Sequence, residues 1–154
     1  MEITGEYTFE ADQQATWNLL MDTNAIAAAM PGVEELIPVE GEPGKWRANA
    51  TLKIGAIGGT YSGVVSMTEL DEPKKYRLTV EGEGQASIIN GTAVIELAPH
   101  AEDSSKTTIQ WTAEANISGK LASVGQRLIK ATANMMSKRF FSELAKNLEG
   151  DATE

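Results

Sequence analysis

Apolar and polar residues alternate from the first turn of the chain. Ile3, Tyr7 and Phe9 fall on one face, and Glu2, Thr4, Glu6, Thr8 and Glu10 on the other. A period of two predicts a strand with one buried face. Asp12 then stands where a helix needs an N-cap, and Ala15, Trp17, Leu19, Leu20 and Met21 predict a short helix behind it. A second short helix is expected from Asn24 to Met30. Pro31-Gly32 ends it, since proline cannot extend a helix and pushes its predecessor out of helical angles.

From Val33 the period returns to two. Trp46, Ala48, Ala50, Leu52 and Ile54 share a face, continued by Tyr61, Val65 and Met67. Further runs follow, with Tyr76, Leu78 and Val80, then Ala93, Ile95 and Leu97, then Thr107, Ile109, Trp111, Ala113, Ala115 and Ile117 on the apolar side. Short turns such as Asp71 to Lys75 join them, which predicts an antiparallel meander with one polar face. From Gly119 to Leu148 the spacing becomes helical. Leu121, Val124, Leu128 and Met135 form one stripe, with Ile129, Met136, Phe140, Leu144 and Leu148 beside it, and Gly150 as the stop. Thirty residues give a helix of roughly 45 Å at about 1.5 Å per residue, and it needs the sheet to cover its stripe.

The reading is therefore α+β: a strand, two short helices, about six more antiparallel strands, and one long C-terminal helix around which the sheet curls. The segment KIGAIGGTYSG, residues 53 to 63, bears on that curl, because it holds four glycines in eleven residues. Glycine weakens a strand, so its concentration here predicts a sharp bend. Residues 1–150 are expected to form one domain, with 151–154 as a short polar tail.

Composition removes several classes of function. With 13 basic and 22 acidic residues the net charge is −9, and no basic run exists to track a phosphate backbone, so nucleic acid is not the expected partner. The sequence has no cysteine and one histidine, His100, which excludes thiolate chemistry and histidine-rich metal sites. No catalytic residue, cofactor or metal is therefore assigned. No stretch reaches the length of a membrane-spanning helix, and the N-terminus has no signal-peptide pattern, so a cytoplasmic protein is expected. Paired carboxylates such as Glu81 and Glu83 point outward with Thr79 and read as a solvated surface.

What remains is a cavity. Trp46, Leu52, Ile54, Tyr61, Leu78, Val80 and Trp111 from the strands, with Leu121, Val124, Leu128 and Met135 from the helix, are the candidate lining. Apolar pockets are built this way. The inward alanines Ala48, Ala50, Ala113 and Ala115 leave volume, and unfilled volume is unstable unless something occupies it. Met30, Pro31, Gly32 and Val33 are the candidate mouth. Each of these residues also serves as plain core on the alternative reading.

Several stretches also carry a family resemblance. They are Met30 to Val33, Lys53-Ile54-Gly55 with Tyr61-Ser62-Gly63, Glu81 to Gly84, Thr107 to Trp111, Ile117 to Ala122, Gly125 to Ile129 and Phe140-Phe141. In this order and spacing the chain resembles the G-subunit family of carbon monoxide dehydrogenase, within the START-like (SRPBCC) helix-grip superfamily. The resemblance spans roughly residues 2 to 148. It implies a non-catalytic accessory protein that binds a lipid or quinone-like molecule in the grip and serves a molybdenum hydroxylase of the carbon monoxide dehydrogenase type. It also implies peripheral contact with the inner face of a membrane. The alternative is an assembly or recruitment factor whose cavity is closed.

Overall fold

The computed structural model describes residues 1–30 and 32–152. Strand β1 (Glu2–Phe9) is followed by helices α1 (Gln13–Leu20) and α2 (Thr23–Ala29). The meander comprises β2 (Val33–Pro38), β3 (Lys45–Ile54), β4 (Ile57–Asp71), β5 (Lys75–Gly84), β6 (Ser87–Pro99) and β7 (Thr107–Gly119). A 3₁₀ turn (Lys120–Val124) leads into α3 (Gln126–Ala152). Among the described residues the strands make one antiparallel sheet in the order β1-β7-β6-β5-β4-β3-β2. Among the described residues β1 departs from a simple meander by joining the far edge beside β7, and α1 and α2 connect it to β2.

Both short helices start on an aspartate. Asp12 accepts from the Ala15 N–H at 2.8 Å, and Asp22 from the N–H groups of Asn24 and Ala25 at 3.1 and 3.2 Å. Each cap satisfies N–H groups that a helix start otherwise leaves unpaired. The Gln13 side-chain amide then donates to the Pro73 and Leu97 carbonyls, fastening α1 to the β4–β5 turn and to the end of β6.

The glycine-rich segment divides into two roles. Gly55-Ala56 alone is the β3–β4 turn, with φ +62° at Gly55 and Ile54 paired to Ile57, the arrangement of a two-residue hairpin with glycine first. Gly58 and Gly59 lie inside β4, which begins at Ile57 and not at Tyr61 as the alternation suggested. Gly63 pairs with Gly82 of β5, and a Cβ on Gly63 would sit 2.5 Å from the Glu81 carbonyl oxygen. Only glycine permits that approach of two backbones.

The C-terminal helix differs from its expected bounds at both ends. Gly119 (φ +86°) and Gly125 (φ +92°) flank the 3₁₀ turn, so α3 proper begins at Gln126. At the other end it passes Gly150 and runs to Ala152; glycine lowers helix propensity by about 1 kcal/mol but does not oblige a stop.

Candidate functional site

The face of the sheet turned toward α3 is packed at both ends. At one end Phe9, Trp17, Leu20, Tyr76, Ile95, Leu97, Ile109, Trp111, Phe141 and Leu144 form a buried cluster. Trp111 lies 4.8 Å from Phe141 between ring centres, and Trp17 meets Tyr76 edge-on at 5.6 Å. Trp111 needs Gly5 opposite it, because a Cβ there would fall 2.3 Å from the indole Cζ2. At the other end Ile57, Tyr61 and Leu121 are buried, with Leu52, Ile54, Ile89, Ile117 and Val124 around them. Ser87 pins this end: its hydroxyl accepts from the Leu121 N–H at 2.7 Å and donates to the Gln85 carbonyl.

Between the clusters the register sets three cross-strand rows on the same face. They run Met67-Leu78-Ala93-Ala113-Ile3, Trp46-Val65-Val80-Gly91-Ala115 and Ala48-Gly63-Gly82-Ile89-Ile117. No residue of these rows is buried. The middle row belongs to neither cluster, and Val80, on the central part of an interior strand, is 37% exposed. A face pressed against a helix ordinarily hides such a side chain. The helix packs on the β1 and β3 sides of the sheet and leaves the middle of this face partly uncovered.

The structure places the expected lining residues unevenly along this face. Trp46 and Val80 lie in the middle row and Leu78 in the row beside it, while Leu52, Ile54, Tyr61, Leu121 and Val124 form the packed end near the β3–β4 hairpin. Trp111 stands in the opposite cluster. Leu128 and Met135 are not interior: they are 41% and 59% exposed. At about 100° per residue they share a stripe turned roughly a quarter circle from Ile129, whose side of α3 is the buried one. Leu128 instead closes on the hairpin tip, with Cδ2 2.9 Å from where a Gly55 Cβ would stand. The mouth residue Gly32 touches β3, its Cβ position being 2.8 Å from Leu52 Cδ2. Met30 and Val33 are half-buried beside it, and Pro31 lies outside the described residues.

The family model for the G subunit of carbon monoxide dehydrogenase (CoxG) matches residues 5–149. The chain belongs to the CoxG family. Solved structures agree on the fold. The chain is similar to a conserved protein from Geobacillus kaustophilus, with TM-score 0.89 and 27% identity over 97% of this chain and 96% of that one. It is also similar to a START superfamily protein from Mycobacterium smegmatis, with TM-score 0.73 and 12% identity over 97% of both chains. A third similar structure is a Chromobacterium violaceum protein, with TM-score 0.70 and 14% identity over 96% of both. No curated protein matches. The architecture is thus the START-like helix-grip fold, and family and fold together support a ligand-binding accessory role in general terms.

Two packing arrangements of this CoxG-family chain are not set by its apolar pattern alone. Ile89 and Ile117 complete the hairpin-end cluster, although only the β6 and β7 register reveals that they meet. Phe141 and Ile129, not Leu128 and Met135, carry the buried side of α3. On the outer face of the sheet lie two depressions of about 430 and 560 Å³, the first lined by Arg47, Asn49, Glu81, Glu83 and Asn90. Both are on the side away from α3. Among the described residues no cluster of His, Asp or Glu is arranged to hold a metal ion, and no helix is long and apolar enough to cross a membrane.

Proposed function

We propose that this protein is a non-catalytic carrier. It holds one hydrophobic molecule, of lipid or quinone-like kind, in the cleft between sheet and α3, and serves a molybdenum hydroxylase of the carbon monoxide dehydrogenase type. The observation that carries the reading is the half-exposed middle row, with Val80 at its centre. Family membership supports the partner class. Leu128, exposed against the hairpin tip, and the exposed Met135 suit the doorway to such a cleft better than its wall.

Peripheral contact with an anionic membrane surface is part of the same proposal. Residues 120–142 contain Lys120, Arg127, Lys130, Lys138 and Arg139, all exposed, and no Asp or Glu, in a chain of net charge −9. A local run of cations beside exposed apolar side chains favours a surface that is negative and greasy.

Native mass spectrometry on gently purified protein, paired with organic extraction, tests the carrier. One apolar adduct per chain is the expected result. Protein that retains the hydroxylase in a pull-down yet yields no adduct and binds no lipophile would identify an interaction-only factor instead.

A further inference from the structure

Among the described residues, two buried polar side-chain atoms have no hydrogen-bond partner: the Trp111 Nε1 and the Tyr61 hydroxyl. They differ in setting. Trp111 directs its indole over Gly5, toward the sheet edge at β1 and against Phe141. Tyr61 belongs to the packed hairpin end, one cross-strand row from Ala48, Gly63 and Gly82. It stands on β4 two residues from Gly63, with Ala50 and Gly84 as its cross-strand neighbours, and it packs with Leu52, which touches Gly32 at the mouth. The residue is 5% exposed, it packs with Ile57, Leu121 and Leu52, and the nearby Ser87 hydroxyl is already engaged with the Leu121 N–H and the Gln85 carbonyl. Native proteins leave few hydroxyls in this condition, because losing water without gaining a partner is destabilising.

Resting on the carrier reading, we propose that the Tyr61 hydroxyl is the polar anchor of the cleft. It donates a hydrogen bond to one carbonyl oxygen of a ligand whose hydrocarbon part lies along the small-residue floor between Gly63 and Gly91. The ligand is uncharged. A carboxylate head placed beside Tyr61 would meet Leu52, Ile54, Ile57, Leu121 and Val124, no Lys, Arg or His is buried among the described residues, and a buried charge without a counter-charge is strongly disfavoured. Specificity then takes a recognisable form: neutral carbonyl compounds bind more tightly than either hydrocarbons or fatty acids of equal length.

The test is displacement of N-phenyl-1-naphthylamine by 2-undecanone, undecane and undecanoate, from wild type and from Tyr61→Phe. In the wild type the ketone should displace best. In Tyr61→Phe its affinity should fall about tenfold, equivalent to about 1.4 kcal/mol, while undecane changes less than about twofold. Equal loss for ketone and alkane, or no loss for either, overturns the anchor while leaving the carrier reading intact. Failure of the dye and all three competitors to bind wild type overturns the carrier reading, and the anchor with it. Ligand-free Tyr61→Phe should melt no lower than wild type, since it removes an unpaired hydroxyl. A clear drop in melting temperature would show that the hydroxyl already has a structural partner, and would also overturn the proposal.

Discussion

Val80 and Gly91 face each other across β5 and β6 in the middle of the helix-facing side of the sheet, and neither is buried. A Cβ at Gly91 would meet nothing closer than the Glu114 carbonyl oxygen at 3.7 Å. Gly91→Val should therefore fold, and should gain about 0.5–2 kcal/mol by occupying vacant space and replacing glycine in a strand. Urea unfolding measures it. A loss of stability would mean that the row is already filled.

Gly5 offers the opposite case. Its Cβ position falls within the Trp111 ring, so Gly5→Ala must displace the indole from Phe141. A destabilisation of about 1–3 kcal/mol is expected, as for other overpacked cores. Near-ultraviolet circular dichroism should show the change in the Trp111 environment. An unchanged spectrum with unchanged stability would contradict this packing.

Ser87 holds the 3₁₀ turn to the β5–β6 hairpin through the buried Leu121 N–H. Ser87→Ala leaves that donor unpaired and should cost about 1–3 kcal/mol. Amide exchange at Leu121 should accelerate selectively, with β1 and β7 pairing unaffected. Protection at Leu121 equal to wild type would refute the role of the hydroxyl.

Burial pushes the Tyr76 phenol above its ordinary value. The folded state then holds the proton more firmly than the unfolded chain. Stability is complete below pH 10 and declines as pH rises past it, because the unfolded phenol ionises first. Tyr76→Phe should flatten the decline between about pH 9.5 and 11 in urea midpoints. Identical slopes for the two proteins would place Tyr76 in water.

Much of this architecture was legible in the sequence. Strict alternation in β3 gave its bounds, Lys45 to Ile54, and the order of elements gave a curled sheet around a terminal helix. The side of α3 that turns inward was not legible. Leu128 and Met135 differ from Ile129 and Met136 by one residue each, so two adjacent stripes were equally apolar. The choice between them depends on the break at Gly125 and on how Phe141 docks against Trp111 and Phe9. Tyr61 was readable as an inward residue, but its unpaired hydroxyl was not, because that depends on what every neighbour fails to supply. The glycines of residues 53–63 suggested bending, and only the β4–β5 register shows that Gly63 meets Gly82.

All of the functional reading depends on accessible apolar space above the middle row. Titration of N-phenyl-1-naphthylamine into wild type and Gly91→Val probes it most directly. The predicted result is saturable one-to-one enhancement of dye fluorescence in the wild type, weakened at least about tenfold in a Gly91→Val protein that remains folded. Binding of equal strength to both, or to neither, would contradict a ligand held between this sheet and its helix.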